Sequence, residues 1–109
     1  MDPILDNLIQ ELKRGTQVFA VLQLLDVGQY GYALLQRLNE KNIDIEAGTL
    51  YPLLRRLESQ KLLTSDWDKS EPRARKYYEI SDYGKTVLKQ LKEEWKKIVD
   101  DINSIVGVK

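Results

Sequence analysis

The 109-residue chain has no cysteine and no histidine. That excludes disulfides, thiolate nucleophiles, a histidine general base and a zinc site built from the usual ligands. With three prolines and six glycines there is little chain for long loops, and no Gly-rich phosphate cradle or nucleophile elbow occurs. No stretch of about 20 apolar residues exists that could cross a bilayer. Catalysis would have to rest on carboxylates, Lys, Ser/Thr and Tyr, and no set of these suggests a shared site. Adjacent Glu93 and Glu94 point about 100° apart on a helix and read as solvated surface. The expectation is a protein that is no enzyme and holds no metal or cofactor. Its opening, Met-Asp-Pro-Ile-Leu-Asp, lacks the basic start of a secretory signal and points to a cytoplasmic address.

What is present suits one folded domain: 42% hydrophobic and 31% charged residues. The 17 basic and 17 acidic side chains cancel overall but not locally. Residues 1–45 hold four basic and six acidic groups, whereas 46–76 hold seven basic and five acidic. Within 69–76, four basic groups face only Glu71. A neutral protein with one basic strip can meet a polyanion through it.

Ile4, Leu5, Leu8, Ile9 and Leu12 recur at helical spacing behind Asp2 and Pro3, with a bend or break at Gly15-Thr16. Residues 18–25 continue as a helix apolar nearly all round, which suits a central position or one shared with a partner. Val27-Gly28-Gln29 reads as a stop. A helix over 30–39 carries Leu34, Leu35 and Leu38. The next, over about 47–61, carries a stripe of Leu50, Leu53, Leu54 and Leu57. Pro52 is expected in its first turn. Residues 62–67 and 75–80 read as a hairpin with a polar, basic tip. In its second strand Tyr77 and Glu79 point one way, Tyr78 and Ile80 the other. Ser81 or Asp82 caps a last helix running to about Val106. Along it Leu88, Leu91, Trp95, Ile98, Ile102 and Ile105 follow alternating steps of three and four. At ~1.5 Å per residue this helix is about 37 Å long, too long to be covered by so small a body.

Short helices closed by a two-stranded ribbon describe a winged helix-turn-helix. The expected fold is mainly α with a small β-hairpin (α+β). Residues 1–80 form the winged DNA-binding part, whose first helix contributes to a dimer, and 81–109 form a C-terminal dimerisation helix.

On a wheel, the 47–61 helix sets Gly48, Pro52, Arg55 and Ser59 opposite its leucines, with Thr49, Tyr51 and Arg56 at the flanks. Small groups near the N-terminus, followed by guanidinium forks, are what a helix entering the major groove needs. Lys69, Arg73, Arg75 and Lys76 on the hairpin suit phosphate contacts, which position a protein while base contacts specify the sequence. The same exposed charges would also suit a solvated surface, or a winged helix that binds proteins and not DNA.

Several segments together resemble the PadR family of bacterial transcriptional regulators, in its smaller subgroup with a single C-terminal helix. They are Arg14-Gly15-Thr16, Tyr30-Gly31-Tyr32-Ala33-Leu34, Gly48-Thr49-Leu50-Tyr51-Pro52-Leu53-Leu54-Arg55-Arg56-Leu57-Glu58, and Arg75-Lys76-Tyr77-Tyr78-Glu79-Ile80-Ser81 with Gly84. The resemblance spans about 12–106. One departure is Lys61-Leu62, where the family usually has Gly before the first wing strand.

The resemblance implies a homodimer on a palindromic double-stranded DNA operator, usually as a repressor. It implies DNA contacts from the 49–56 face (Thr49, Tyr51, Pro52, Arg55, Arg56) and from the wing (Lys69, Arg73, Arg75, Lys76), with Tyr32 near the backbone. Strand aromatics such as Tyr77 and Tyr78 commonly serve packing. Drug-sensing relatives carry Trp at the place of Trp95, which implies a small aromatic effector stacked there. By that analogy Val18, Leu22, Leu91 and Val99 line the cavity, with Glu11 and Arg14 near its mouth. Leu88, Leu91, Trp95, Ile98, Ile102 and Ile105 would form the dimer seam, a gross gain of about 10 kcal/mol or more before the ordering costs of association.

Overall fold

The computed structural model describes residues 2–70 and 72–107. Its elements are α1 (Pro3–Lys13), α2 (Thr16–Leu24), β1 (Gln29–Tyr30), α3 (Gly31–Glu40), α4 (Ala47–Ser59), β2 (Leu63–Asp68), β3 (Arg75–Ile80) and α5 (Asp82–Val106). The three strands form an antiparallel sheet in the order β1-β3-β2.

Local chemistry explains most of the boundaries. The Asp2 carboxylate accepts from the Ile4 amide at 2.9 Å and so caps α1, with Pro3 at the first helical position. The Thr16 hydroxyl donates to the Lys13 carbonyl at 2.6 Å where α1 gives way to α2. Ser81, and not Asp82, caps α5: its hydroxyl accepts from the Gly84 amide at 2.9 Å and donates to the Lys61 carbonyl at 2.6 Å. Gly84 is buried, and only glycine fits there, because a Cβ would run into the Leu62 carbonyl. The helix thereby packs tightly on the turn between α4 and β2.

Helix α4 ends in a Schellman arrangement. The Leu62 amide donates to the Leu57 carbonyl and the Lys61 amide to the Glu58 carbonyl, each at 3.0 Å. Lys61 takes the left-handed conformation, φ 68°, that glycine adopts more cheaply. The turn that the family usually makes with Gly is thus made here by a lysine.

Three sequence expectations change. Of the bend or break expected at Gly15-Thr16 the chain takes the break, but α2 begins at Thr16, two residues ahead of the apolar run. Gln29 and Tyr30 form a strand, paired with Tyr78 and Tyr77, and Tyr30 is at the same time the N-cap of α3, which starts at Gly31. Pro52 lies in the second turn of α4, because the helix already starts at Ala47. The carbonyl that Pro52 leaves without a helical donor belongs to Gly48, an exposed residue open to water, which lowers the cost.

The core gathers Val21, Leu22 and Leu25 of the α2 region, Leu34 and Leu38 of α3, Leu50, Leu54 and Leu57 of α4, Leu63, Tyr78 and Ile80 of the sheet, and Leu88 of α5. Eight of these side chains are sealed from solvent, each a contribution of ~1.5–3 kcal/mol. Leu88 therefore belongs to the chain's own core and not to an external seam. Helix α1 contributes no buried residue.

Candidate nucleic-acid interface

Burying the leucine stripe of α4 forces its opposite face outward. Leu50, Leu54 and Leu57 are buried, while Gly48, Thr49, Pro52, Arg55, Arg56 and Ser59 are exposed. Helix α3 and the turn after it set α4 in place: the Asn42 amide closes the end of α3 in a left-handed turn, φ 65°, and the Ile43 amide returns to the Leu38 carbonyl at 2.9 Å. This is the helix-turn-helix pair, and the β2–β3 hairpin stands beside it as the wing.

Between the start of α3, α4 and the wing lies a hollow of about 590 Å³. It is lined by Tyr32, Tyr51, Arg55, Arg73, Arg75 and Lys76, together with Tyr30 and Trp67. Six of the ten residues proposed for DNA contact thus meet at one place. Pro52, Arg56 and Lys69 are exposed outside it, and Thr49 lines a separate hollow with Gln17 and Glu46.

Two polar clusters fasten the wing. At its outer end, the Tyr30 hydroxyl donates to the Asp68 carboxylate, whose other oxygen accepts from the Ser70 amide at 2.9 Å and the Ser70 hydroxyl at 2.6 Å. The donated bonds from Ser70 and Tyr30 hold the Asp68 carboxyl down to about 2. The Arg75 guanidinium lies 4.2 Å from the centre of the Tyr30 ring, and Tyr77 meets that ring edge-on at 5.3 Å. Gly28 leaves room for the Tyr77 ring, which a Cβ would strike.

The second cluster joins α4 to both wing strands. Lys76 Nζ donates to Glu58 Oε1 at 2.8 Å, and the Ser65 hydroxyl donates to the other Glu58 oxygen. These bonds lower the Glu58 pKa, with the Lys76 bond first, and the Glu58 bond raises that of Lys76. Lys76 is therefore already paired within its own chain, unlike the isolated phosphate contact expected from the sequence.

Within one chain the proposed effector residues line no single hollow. Leu91 and Trp95 line a small hollow of about 230 Å³ with Leu12, Phe19, Glu94 and Ile98. Leu22 is fully buried in the core, Val18 packs against that core, and Val99 lines a different surface hollow with Trp95 and Asp100. Helical periodicity alone did not separate the inward face of α2 from its α5-facing side. Phe19, which the sequence reading passed over, stands 5.9 Å from the Trp95 ring at 45°. Glu11 lines an open hollow along α1 and Arg14 is exposed.

An outward-facing helix with two arginines beside a fastened hairpin is the arrangement of a winged helix-turn-helix. Comparison with known proteins narrows this. Residues 21–90 match the model of the transcriptional regulator PadR-like family. A PadR family transcriptional regulator from Eggerthella lenta has a similar structure, with a TM-score of 0.91 and 43% identity over 97% of this chain and 95% of that one. A transcriptional regulator from Clostridium thermocellum is similar at a TM-score of 0.79 and 30% identity, covering 88% of this chain and 98% of that one. A transcriptional regulator of Mycobacterium tuberculosis is 37% identical over 59 residues, 54% of this chain and 55% of that protein. The chain belongs to the PadR-like family of transcriptional regulators, which are not enzymes. No helix among the described residues is long and apolar enough to cross a membrane.

Proposed function

We propose that the chain is a cytoplasmic repressor that binds a palindromic operator as a homodimer and releases it on binding a small planar aromatic effector. The observation that carries DNA binding is the convergence of Tyr32, Tyr51, Arg55, Arg73 and Arg75 around one open hollow between α4 and the wing. Thr49, Pro52 and Arg56 extend that surface along α4, and Lys69 extends it at the hairpin tip. Arg55 and Arg56 are the donors for base edges and phosphates, Arg73 and Arg75 the phosphate grips.

Dimerisation is supported by the apolar surface that one chain leaves uncovered. Ile4, Leu5, Leu8, Ile9 and Leu12 of α1 are 37–82% exposed, and Trp95, Ile98, Ile102 and Ile105 of α5 are 43–79% exposed. A lone soluble chain rarely presents two such stripes. Residues 1–80 act as the DNA-binding part with α1 lent to the dimer. Residues 81–109 act as the dimerising part, although the first turns of α5 are built into the core. Two-fold symmetry then presents two α4 helices to successive major-groove faces about 34 Å apart.

For the effector, Trp95 and Phe19 offer aromatic surface and Glu94 a carboxylate at the edge of the same hollow. A ligand between paired α5 helices acts through its differential affinity for two dimer geometries, only one spaced for the operator.

A gel shift on the DNA upstream of the chain's own gene tests this, with and without planar cationic dyes. A complex that weakens steeply with salt and dissociates with dye supports it. Failure to shift at low salt, or salt-independent binding unaffected by Arg55→Ala and Arg56→Ala, would favour a winged helix that binds proteins.

A further inference from the structure

Three elements meet at the Glu58 carboxylate. Glu58 is in the last turn of α4, Ser65 is in the middle of β2 and Lys76 is near the start of β3. One carboxylate oxygen takes the Lys76 ammonium at 2.8 Å and the other takes the Ser65 hydroxyl. The side chains of Lys76 and Glu58 are only 26% and 31% exposed. The rings of Trp67 and Tyr78 lie 5.7 Å and 5.4 Å from the same ammonium. The Lys76 ammonium is thus held toward Glu58 and two rings, and a phosphate would compete with Glu58 for it.

An acid placed between the helix and the wing of a DNA-binding surface repels the polyanion. Its presence there calls for a compensating task, and the geometry shows one: it is the only carboxylate among the described residues that bonds to both wing strands from the helix. We propose that Glu58 is a positioning residue, which sets the wing's angle to α4, and that Lys76 serves DNA binding through Glu58 and not by touching a phosphate. This rests on the DNA-binding function proposed above.

Two accounts of these residues predict opposite signs. If only charge mattered, removing Glu58 would tighten DNA binding and removing Lys76 would cost one phosphate contact. If Glu58 positions the wing, removing either partner weakens binding while the count of phosphate contacts stays the same.

The experiment measures affinity for the upstream duplex by fluorescence anisotropy across a salt series. Glu58→Ala and Lys76→Met should each weaken binding by roughly tenfold, the worth of one charge-assisted hydrogen bond at a part-exposed site. Glu58→Gln, which keeps an acceptor, should recover part of that loss. The slope of log affinity against log salt should be unchanged by Lys76→Met but reduced by about one by Arg75→Ala. The exchanged pair E58K/K76E should bind better than Lys76→Glu alone, as coupled partners do. If Glu58→Ala does not fold, Ser65→Ala removes one bond of the same cluster and should weaken binding with an unchanged slope. Glu58 variants that bind as tightly as the wild type or more tightly, or a Lys76→Met slope reduced by about one, would overturn the proposal. Wild-type protein that ignores the duplex would instead defeat the DNA-binding function itself.

Discussion

The wing side and the tail side of this molecule are built on opposite plans. On the wing side, polar groups find their partners within the chain: Tyr30 with Asp68, Ser65 and Lys76 with Glu58, Arg75 over the Tyr30 ring. On the tail side, α1 buries nothing and Trp95, Ile98, Ile102, Ile105 and Val106 of α5 stand open. One surface, organised in advance in this way, would leave little ordering cost to be met on binding the proposed DNA. The other is unfinished until a second apolar surface covers it. The contrast supports the two partners proposed for the chain, a polyanion at the wing and another copy at the tail.

The largest expected effect comes from attacking the unfinished side. Ile98→Asp places a charge on a 52% exposed seam position, so the single chain should still fold. Sedimentation should show loss of the dimer, and the operator complex should disappear with it. A monomer that still binds DNA at full affinity would separate the two sides.

Leu54→Ala, in the sealed core behind the recognition face, should cost about 2–5 kcal/mol in chemical denaturation. Arg55→Ala leaves the fold alone and should cost about 1–3 kcal/mol of binding, read by anisotropy. A smaller gain is expected where the backbone is strained. Lys61→Gly relieves the left-handed φ of 68° and should stabilise by about 1 kcal/mol, a rise in Tm of several degrees.

The pH response should follow the Glu58–Lys76 pair. Glu58 is lowered in the folded state, so its contribution is complete above its ordinary 4.5 and is lost as pH falls through the lowered value. Lys76 is raised, so its contribution is complete below its ordinary 10.5 and is lost as pH rises through the raised value. The attachment of the wing should therefore hold from about pH 5 to 10, as amide exchange in β3 would show.

Legibility in the sequence divides along the same line. The α4 leucine stripe, the hairpin and the long last helix all repeat a period, and period is what a linear reading detects. Strand β1 is two residues long and exists only because β3 pairs with it, so no alternation could announce it. Leu88 fits the α5 period perfectly yet packs inward, since the helix changes neighbours along its length. Leu22 and Phe19 sit on one apolar run, and only the packing of α2 shows that Leu22 faces the core and Phe19 faces Trp95. Lys76 read as one more free charge in a basic strip because its partner Glu58 lies 18 residues away.

The most direct test of the account is the stoichiometry of the DNA complex, by native mass spectrometry of the chain with its upstream duplex. Two chains of 12.7 kDa on each duplex are predicted, with no stable complex carrying one. A single chain bound tightly to the duplex, or a dimer that leaves the duplex free at low salt, would contradict it.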